Sequence, residues 1–328
     1  MKKKARNGNI TKHDFQSFVN VKDTQIKLSE LPEAYGKIKM LELQNHNPRE
    51  LARKIDPLKN ACKKFIDFIQ KNKHLKDVTR EDARAFHKEL QRRIYYKEIA
   101  TNTANKCLTN LRVLIDTYHN ENDIDKDNVF RGLRFTENQS KRSPLNTRYI
   151  ANNWINNPVL DNTTQELKYM LWVMIDTGCG FKELCGLDPD TDSHLETEIP
   201  YIEIRENEKR KIKTSFRSRK IPLIGLALEA FQNFPRGFRS YNTCNGPTNA
   251  SAALNKFLKS NNLFENNKQT VYSARHCFKD RLRNHNVPAE MQDYLMGHKS
   301  PGMGSHYGNG YSLQQMRDAL LLIEKDFK

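Results

Sequence analysis

The chain has 328 residues, 37% hydrophobic and 29% charged, with 55 Lys and Arg against 39 Asp and Glu for a net charge of +16. That length carries two domains with cores of their own, and no apolar run approaches the ~20 residues of a membrane span. The basic start Met1-Lys2-Lys3-Lys4-Ala5-Arg6 leads into no apolar run, which argues against a secretory signal. The positive excess points to a polyanion partner, most often nucleic acid, ahead of a basic protein without one. The six cysteines (62, 107, 179, 185, 244 and 277) lack the paired spacing of a zinc site and read as buried thiols of a reducing cytosol.

Residues 1–12 read as a basic tail, and 13–45 as an extended lead-in or small arm marked only by Phe15, Phe18, Leu28 and Leu31. From Pro48 the pattern is helical. Leu58, Cys62, Phe65, Ile66 and Ile69 share one face, and Lys59, Lys63, Lys64 and Lys71 cover the rest. Thr79 before Arg80-Glu81-Asp82 is a capping start to a second helix, striped by Ala85, Phe86, Leu90 and Ile94. A third helix over 101–119 carries Thr103, Cys107, Leu111 and Leu114. These make a helical, basic-faced domain over 46–135, and the Asp- and Asn-rich run 120–146 reads as a linker.

A second domain is expected over 145–328. Its apolar helix 167–175 is closed by Thr177-Gly178, glycine being the usual residue past a helix end. Residues 199–205 alternate as a strand and 219–223 read as its antiparallel return; beyond 226 the pattern is helical again. The fold class is therefore α+β, mainly helical, with one small antiparallel sheet. Asp188-Pro189-Asp190-Thr191-Asp192 opens like a calcium loop but lacks the glycine and the closing glutamate, so it reads as a solvated turn. Met316, Leu320 and Ile323 predict a C-terminal helix over 312–325, docked on its own core or on a neighbouring copy.

Three segments concentrate chemistry. Residues 205–220 hold eight basic side chains (Arg205, Lys209, Arg210, Lys211, Lys213, Arg217, Arg219 and Lys220) against Glu206 and Glu208. Such a loop is either a solvated turn or a surface laid on phosphates. Around Tyr272-Ser273-Ala274-Arg275-His276, the positions 274, 278 and 282 form a buried stripe. Arg275 then stands at a helix start, where an anion is already favoured, and its guanidinium offers two parallel donors. Lys279 adds charge to the same helix. Finally Met296-Gly297-His298 would end a short helix, with Tyr307 nine residues on and Tyr311 as a competing phenol.

In order and spacing these pieces resemble the tyrosine recombinase (phage integrase) family. Its marks fall on Thr177-Gly178-Cys179-Gly180-Phe181-Lys182-Glu183-Leu184, on Lys213-Thr214 followed by Arg219-Lys220-Ile221-Pro222-Leu223, on Tyr272 with Arg275 and His276, on Met296-Gly297-His298, and on Tyr307. The resemblance spans about 165–325. It implies a helical core-binding domain before a catalytic domain, with 1–45 as a possible arm, and a cytoplasmic protein acting on double-stranded DNA as a homotetramer. It implies that Tyr307 attacks a phosphodiester and holds the 3′ end, without ATP, metal or other cofactor. Lys213 would protonate the leaving oxygen, Arg275 clamp the non-bridging oxygens, His298 and Tyr272 bond the phosphate, His276 support the pocket and Glu183 orient a basic side chain. Arg210, Lys211, Arg217, Lys279, Lys63 and Lys64 are the expected DNA-contacting cations.

Two positions depart from the family pattern. Tyr272 stands where histidine is usual, a mild change since a phenol still donates a hydrogen bond. Gly180 stands where the first catalytic arginine is expected, and losing one preorganised donor costs about 10²–10³ in rate. Either another cation substitutes, with Lys182 and Arg210 as candidates, or the chain is a catalytically impaired DNA-binding relative. A metal-dependent nuclease or plain basic binding protein is the reading from another class.

Overall fold

Periodic apolar residues close into three buried clusters, one in the first and two in the second of the units into which the chain divides, Met1–Gln139 and Ser140–Lys328. The structure, a computed structural model, describes residues 26–44, 46, 48–137, 143, 145–207, 210, 212, 214–299 and 310–327. The basic tail and the start of the lead-in lie outside the described residues.

The first unit is helical: α1 (Leu31–Ile38), α2 (Pro48–Ile69), α3 (Arg80–Tyr95) and α4 (Thr101–Glu121). Phe65 of α2 is fully buried at its centre, 5.3 Å from the Phe86 ring and 5.0 Å, edge-on, from Phe130. Lys63 and Lys64 stand exposed on α2, as their spacing predicts. The stripes shift slightly. Ala83 replaces Ala85 in the α3 face, and Ala104 and Leu108 replace Thr103 in α4, because each lies three or four residues from a buried large side chain.

Two segments are more ordered than their composition implies. From Leu28 the expected arm is helical and belongs to this core, with Leu28 and Leu31 buried and α1 packed on α2 and α4. The expected linker folds back over 124–135. Asn128 donates to Arg112 O at 3.0 Å and to Asp116 Oδ1 at 2.7 Å, and accepts from the Phe130 amide at 2.9 Å, which turns Phe130 into the core. Polar composition hid this, since the asparagine closes the turn and one aromatic supplies the burial.

Thr79 caps α3 as its sequence predicts. Its hydroxyl accepts from Asp82 N at 3.1 Å and Asp82 Oδ2 accepts from Thr79 N at 2.9 Å. Thr79→Ala is expected to cost about 1 kcal/mol, seen as a lower urea midpoint with an unchanged slope.

In the second unit, short helical turns that bury Ile150, Trp154 and Leu160 lead into α5 (Gln165–Thr177) and the single-turn α6 (Phe181–Leu184). Three short antiparallel strands follow in the order β1 (Ser193–His194), β2 (Tyr201–Ile204), β3 (Arg219–Pro222), with Ile202 opposite Ile221 and Ile204 opposite Arg219. The two strands read from the sequence are β2 and β3; β1 carried no alternation to reveal it. Helices α7 (Gly225–Asn233), α8 (Gly246–Ser260), α9 (Ser273–Asn284), α10 (Ala289–Met296) and α11 (Leu313–Glu324) complete the unit.

Helix α9 buries Ala274, Phe278 and Leu282 as predicted, and packs on α5. Helix α11 buries Met316, Leu320 and Ile323 and packs on β3 and α9 of its own chain. Arg281 ties these helices together. Fully buried, it donates to Ile175 O of α5 at 2.9 Å, to Ile323 O of α11 at 2.6 Å and to Asp326 at 3.2 Å. No helix among the described residues is long and apolar enough to cross a membrane.

Candidate active site

Two helix ends create the acceptors around which the site is built. α5 stops at Gly178 and α10 at Gly297, both left-handed with φ of 65° and 62°. A Cβ at Gly178 would lie 2.5 Å from Phe278 Cδ1, and one at Gly297 2.7 Å from Arg219 Nη1, so only glycine fits either place. Terminal carbonyls have no partner inside their own helix. Here Gly178 O and Met296 O receive Arg275, whose Nη1 donates to the first and Nη2 to the second. Arg275 lies in the first turn of α9 and is 4% exposed.

Glu183 is the counter-charge. Its Oε1 accepts from Arg219 Nη1 at 2.7 Å, its Oε2 accepts from the Gly180 amide at 2.8 Å, and Arg275 Nη1 stands 3.4 Å from Oε2. Burial by itself would raise this carboxyl, but the charge and hydrogen bond of Arg219, the charge of Arg275 and the Gly180 amide outweigh it and hold the group down at about 2. Glu183 is thus ionised at neutral pH and orients two guanidinium groups at once. Arg219 is buried beneath it and also donates to Leu295 O at 2.9 Å and Arg217 O at 3.0 Å.

A cavity of ≈ 470 Å³ opens beside Gly180, lined among others by Lys182, Glu183, Arg217, Tyr272 and Arg275 and closed by Thr248 and Asn255 of α8. Gly180 has φ −96° and ψ 161°, and a Cβ there would meet nothing nearer than 3.8 Å, at Glu183 Oε2 and Tyr272 Cε2. The glycine therefore leaves open space, in a backbone conformation that any residue adopts. Tyr272 is 41% exposed, its ring edge-on to His276 at 5.6 Å.

His298 follows Gly297 directly and stays largely exposed. Partial burial first, then the charges of Arg275 and Lys279, push its imidazole below the ordinary histidine range, with a smaller push from Arg217. A neutral imidazole near these cations is suited to bonding a phosphate oxygen or passing a proton.

The sequence-derived residues thus divide. Arg275, Tyr272, Glu183, Gly180 and Arg217 line one cavity, His298 lies within reach of its charges, and His276 touches Tyr272. Lys213, Lys211 and Tyr307 lie outside the described residues. Lys63 and Lys64 belong to the other unit.

Arg210 requires correction. Expected to contact DNA or to replace the cation missing at 180, it is 3% exposed, away from the cavity lining. It donates to Arg205 O at 2.8 Å and Glu183 O at 2.9 Å, and pairs with Asp192 at 3.3 Å. Asp192 in turn is no solvated turn residue. It is fully buried and also takes Arg205 Nε at 2.8 Å and the Asp188 amide at 2.8 Å, so it clamps the base of the β2–β3 hairpin. Lys279, also expected on DNA, pairs with Asp293 at 2.8 Å. Groups of His, Cys, Asp and Glu able to hold a metal are absent among the described residues.

No family model matches the chain, and no curated protein matches it by sequence. Solved structures do. The integrase of transposon Tn1549 bound to transposon right-end DNA is 17% identical with a TM-score of 0.58, covering 90% of this chain and 99% of that one. A lambda integrase dimer bound to a COC′ core site is 17% identical with a TM-score of 0.59, covering 88% and 98%. A lambda integrase tetramer bound to a Holliday junction is 15% identical with a TM-score of 0.58, covering 93% and 86%. The chain has the tyrosine recombinase fold, mostly helical with a small three-stranded antiparallel sheet.

Proposed function

We propose that the chain is a site-specific DNA recombinase that cuts and rejoins double-stranded DNA through a 3′-phosphotyrosyl link at Tyr307. One observation carries this reading: a buried arginine, Arg275, held by two helix-end carbonyls and a carboxylate, sits at a positively lined cavity with Tyr272 in a fold shared with DNA-bound integrases. Arg275 binds non-bridging oxygens of the scissile phosphate, and His298 and Tyr272 bond the same group. A phenol with an ordinary pKa of ~10 attacks poorly, so a base takes its proton as it attacks while surrounding cations stabilise both the phenolate and the charge that builds on phosphorus. Lys213 gives its proton to the departing 5′ oxygen, and the phosphodiester energy is kept in the protein–DNA bond. The side-chain cations do the work that a metal does in other phosphoryl-transfer sites. Assembly as a homotetramer on DNA, with the first unit as the core-binding domain, completes the reading.

A second reading is favoured by the open space at Gly180: a DNA-binding relative whose turnover is impaired. One experiment separates them. Duplexes bound by the full chain are selected from a random pool, then nicked beside the protected centre so that religation fails. The recombinase reading expects a covalent protein–DNA band that resists EDTA and that Tyr307→Phe abolishes. Tight binding without a band supports the impaired relative, and loss of the band with EDTA points to metal chemistry.

A further inference from the structure

The cations of the hairpin and of helix α9 are mostly committed. Arg219 and Arg275 face Glu183, Arg210 faces Asp192, and Lys279 faces Asp293. Arg217 differs: it has no carboxylate within ion-pairing distance among the described residues, yet it lines the same cavity as Gly180, Tyr272 and Arg275. Its backbone is anchored. The Arg217 amide donates to Thr214 O at 3.1 Å, and Arg217 O accepts Arg219 Nη1 at 3.0 Å, from the guanidinium that Glu183 grips at 2.7 Å. One carboxylate therefore sets the positions of both Arg275 and the turn that carries Arg217.

The cavity has a use for a second guanidinium. Nη1 and Nη2 of Arg275 each spend a donor on a carbonyl, so only part of its fork faces the cavity. A phosphodiester in transfer builds negative charge on its two non-bridging oxygens, which together accept more hydrogen bonds than that remainder can give. Residue 180 contributes no side chain, and the space it leaves is bordered by Arg217. Lys182 borders it too, but its ammonium is a compact point charge on a flexible stem, without the planar fork that presents parallel donors to two oxygens.

We propose that Arg217 is the second phosphate-binding guanidinium of this site, reaching into the space left open at Gly180 to hold the same tetrahedral oxyanion as Arg275. This deepens the reading above and rests on it, since that reading places a DNA phosphate in the cavity. Arg217 thereby does from the hairpin what a side chain at residue 180 would do from the start of α6.

The test uses orthovanadate as the oxyanion, titrated calorimetrically into the full chain as wild type, Arg217→Gln, Gly180→Arg and the double variant. Melting curves establish that each is folded. Arg217→Gln is expected to weaken vanadate by roughly 10-fold or more, the worth of one charge-assisted contact, and the double variant to regain affinity within about threefold of wild type. Wild-type affinity in Arg217→Gln overturns the proposal, as does a double variant no tighter than Arg217→Gln, or a wild type that binds no vanadate. The covalent band is scored separately. A band with wild-type yield in both wild type and Arg217→Gln removes this inference and leaves the recombinase reading standing. The expected vanadate pattern without any band removes the recombinase reading and leaves Arg217 as an oxyanion ligand.

Discussion

Replacing Glu183 by alanine is expected to destabilise the Ser140–Lys328 unit by about 3–5 kcal/mol, the cost of stranding a buried charge. Arg219 loses its only carboxylate among the described residues, Arg275 loses one side of its cradle, and the Gly180 amide loses its acceptor. Against a domain stability of about 5–15 kcal/mol, this is a large share, readable as a fall in the urea midpoint. The pH dependence follows from the same carboxyl. Its folded-state pKa of about 2 lies below the unfolded value of 4.5, so its stabilisation is complete above 4.5 and is lost as pH falls from there towards 2. The wild type is therefore expected to lose stability more steeply across that window than Glu183→Gln, which has no proton to take up. Parallel acid profiles for the two proteins would show that Glu183 is not held ionised by its arginines.

The second large effect is expected at Arg275. Arg275→Lys keeps the positive charge but loses the fork that spans Gly178 O and Met296 O while still presenting donors to the cavity. The rate of covalent band formation on nicked DNA is expected to fall by about 10²–10³. Affinity for the same duplex is expected to change only within about threefold, because many phosphate contacts share the binding energy. An equal loss in binding and in cleavage would make Arg275 a general DNA contact and not a group at the reacting phosphate.

The helical skeleton was legible because its signals are local. Thr79, Gly178 and Gly297 announce helix ends by the conformations they permit, and the spacing of Ala274, Phe278 and Leu282 fixes which face of α9 is buried. What those glycines accomplish was not legible, since the carbonyls they expose meet Arg275 only after distant helices pack. The same limit governs the basic hairpin. Its eight cations read alike in sequence, yet Arg210 and Arg219 are buried on carboxylates while Arg217 faces the cavity. Their counter-charges, Asp192 and Glu183, are remote in sequence, and Asp192 sits in a run that looks like a solvated turn. Arg281 offered a usable sign. It lies seven residues from Ala274 and beside Leu282, on the apolar face of α9, where an arginine persists only if carbonyls and a carboxylate receive it. The fold-back of 124–135 offered only Phe130 against a polar background.

Tyr307 is the nucleophile that the tyrosine recombinase resemblance implies, nine residues after His298, with Tyr311 four residues further and Tyr272 already at the cavity. The most direct measurement is to isolate the protein–DNA adduct, digest it with nuclease and protease, and identify by mass spectrometry the side chain carrying the nucleotide phosphate. The expected result is a nucleotide on Tyr307, reduced about 10²–10³-fold in Arg275→Lys at matched early time points. A nucleotide on Tyr311, on Tyr272 or on a non-tyrosine residue would contradict it.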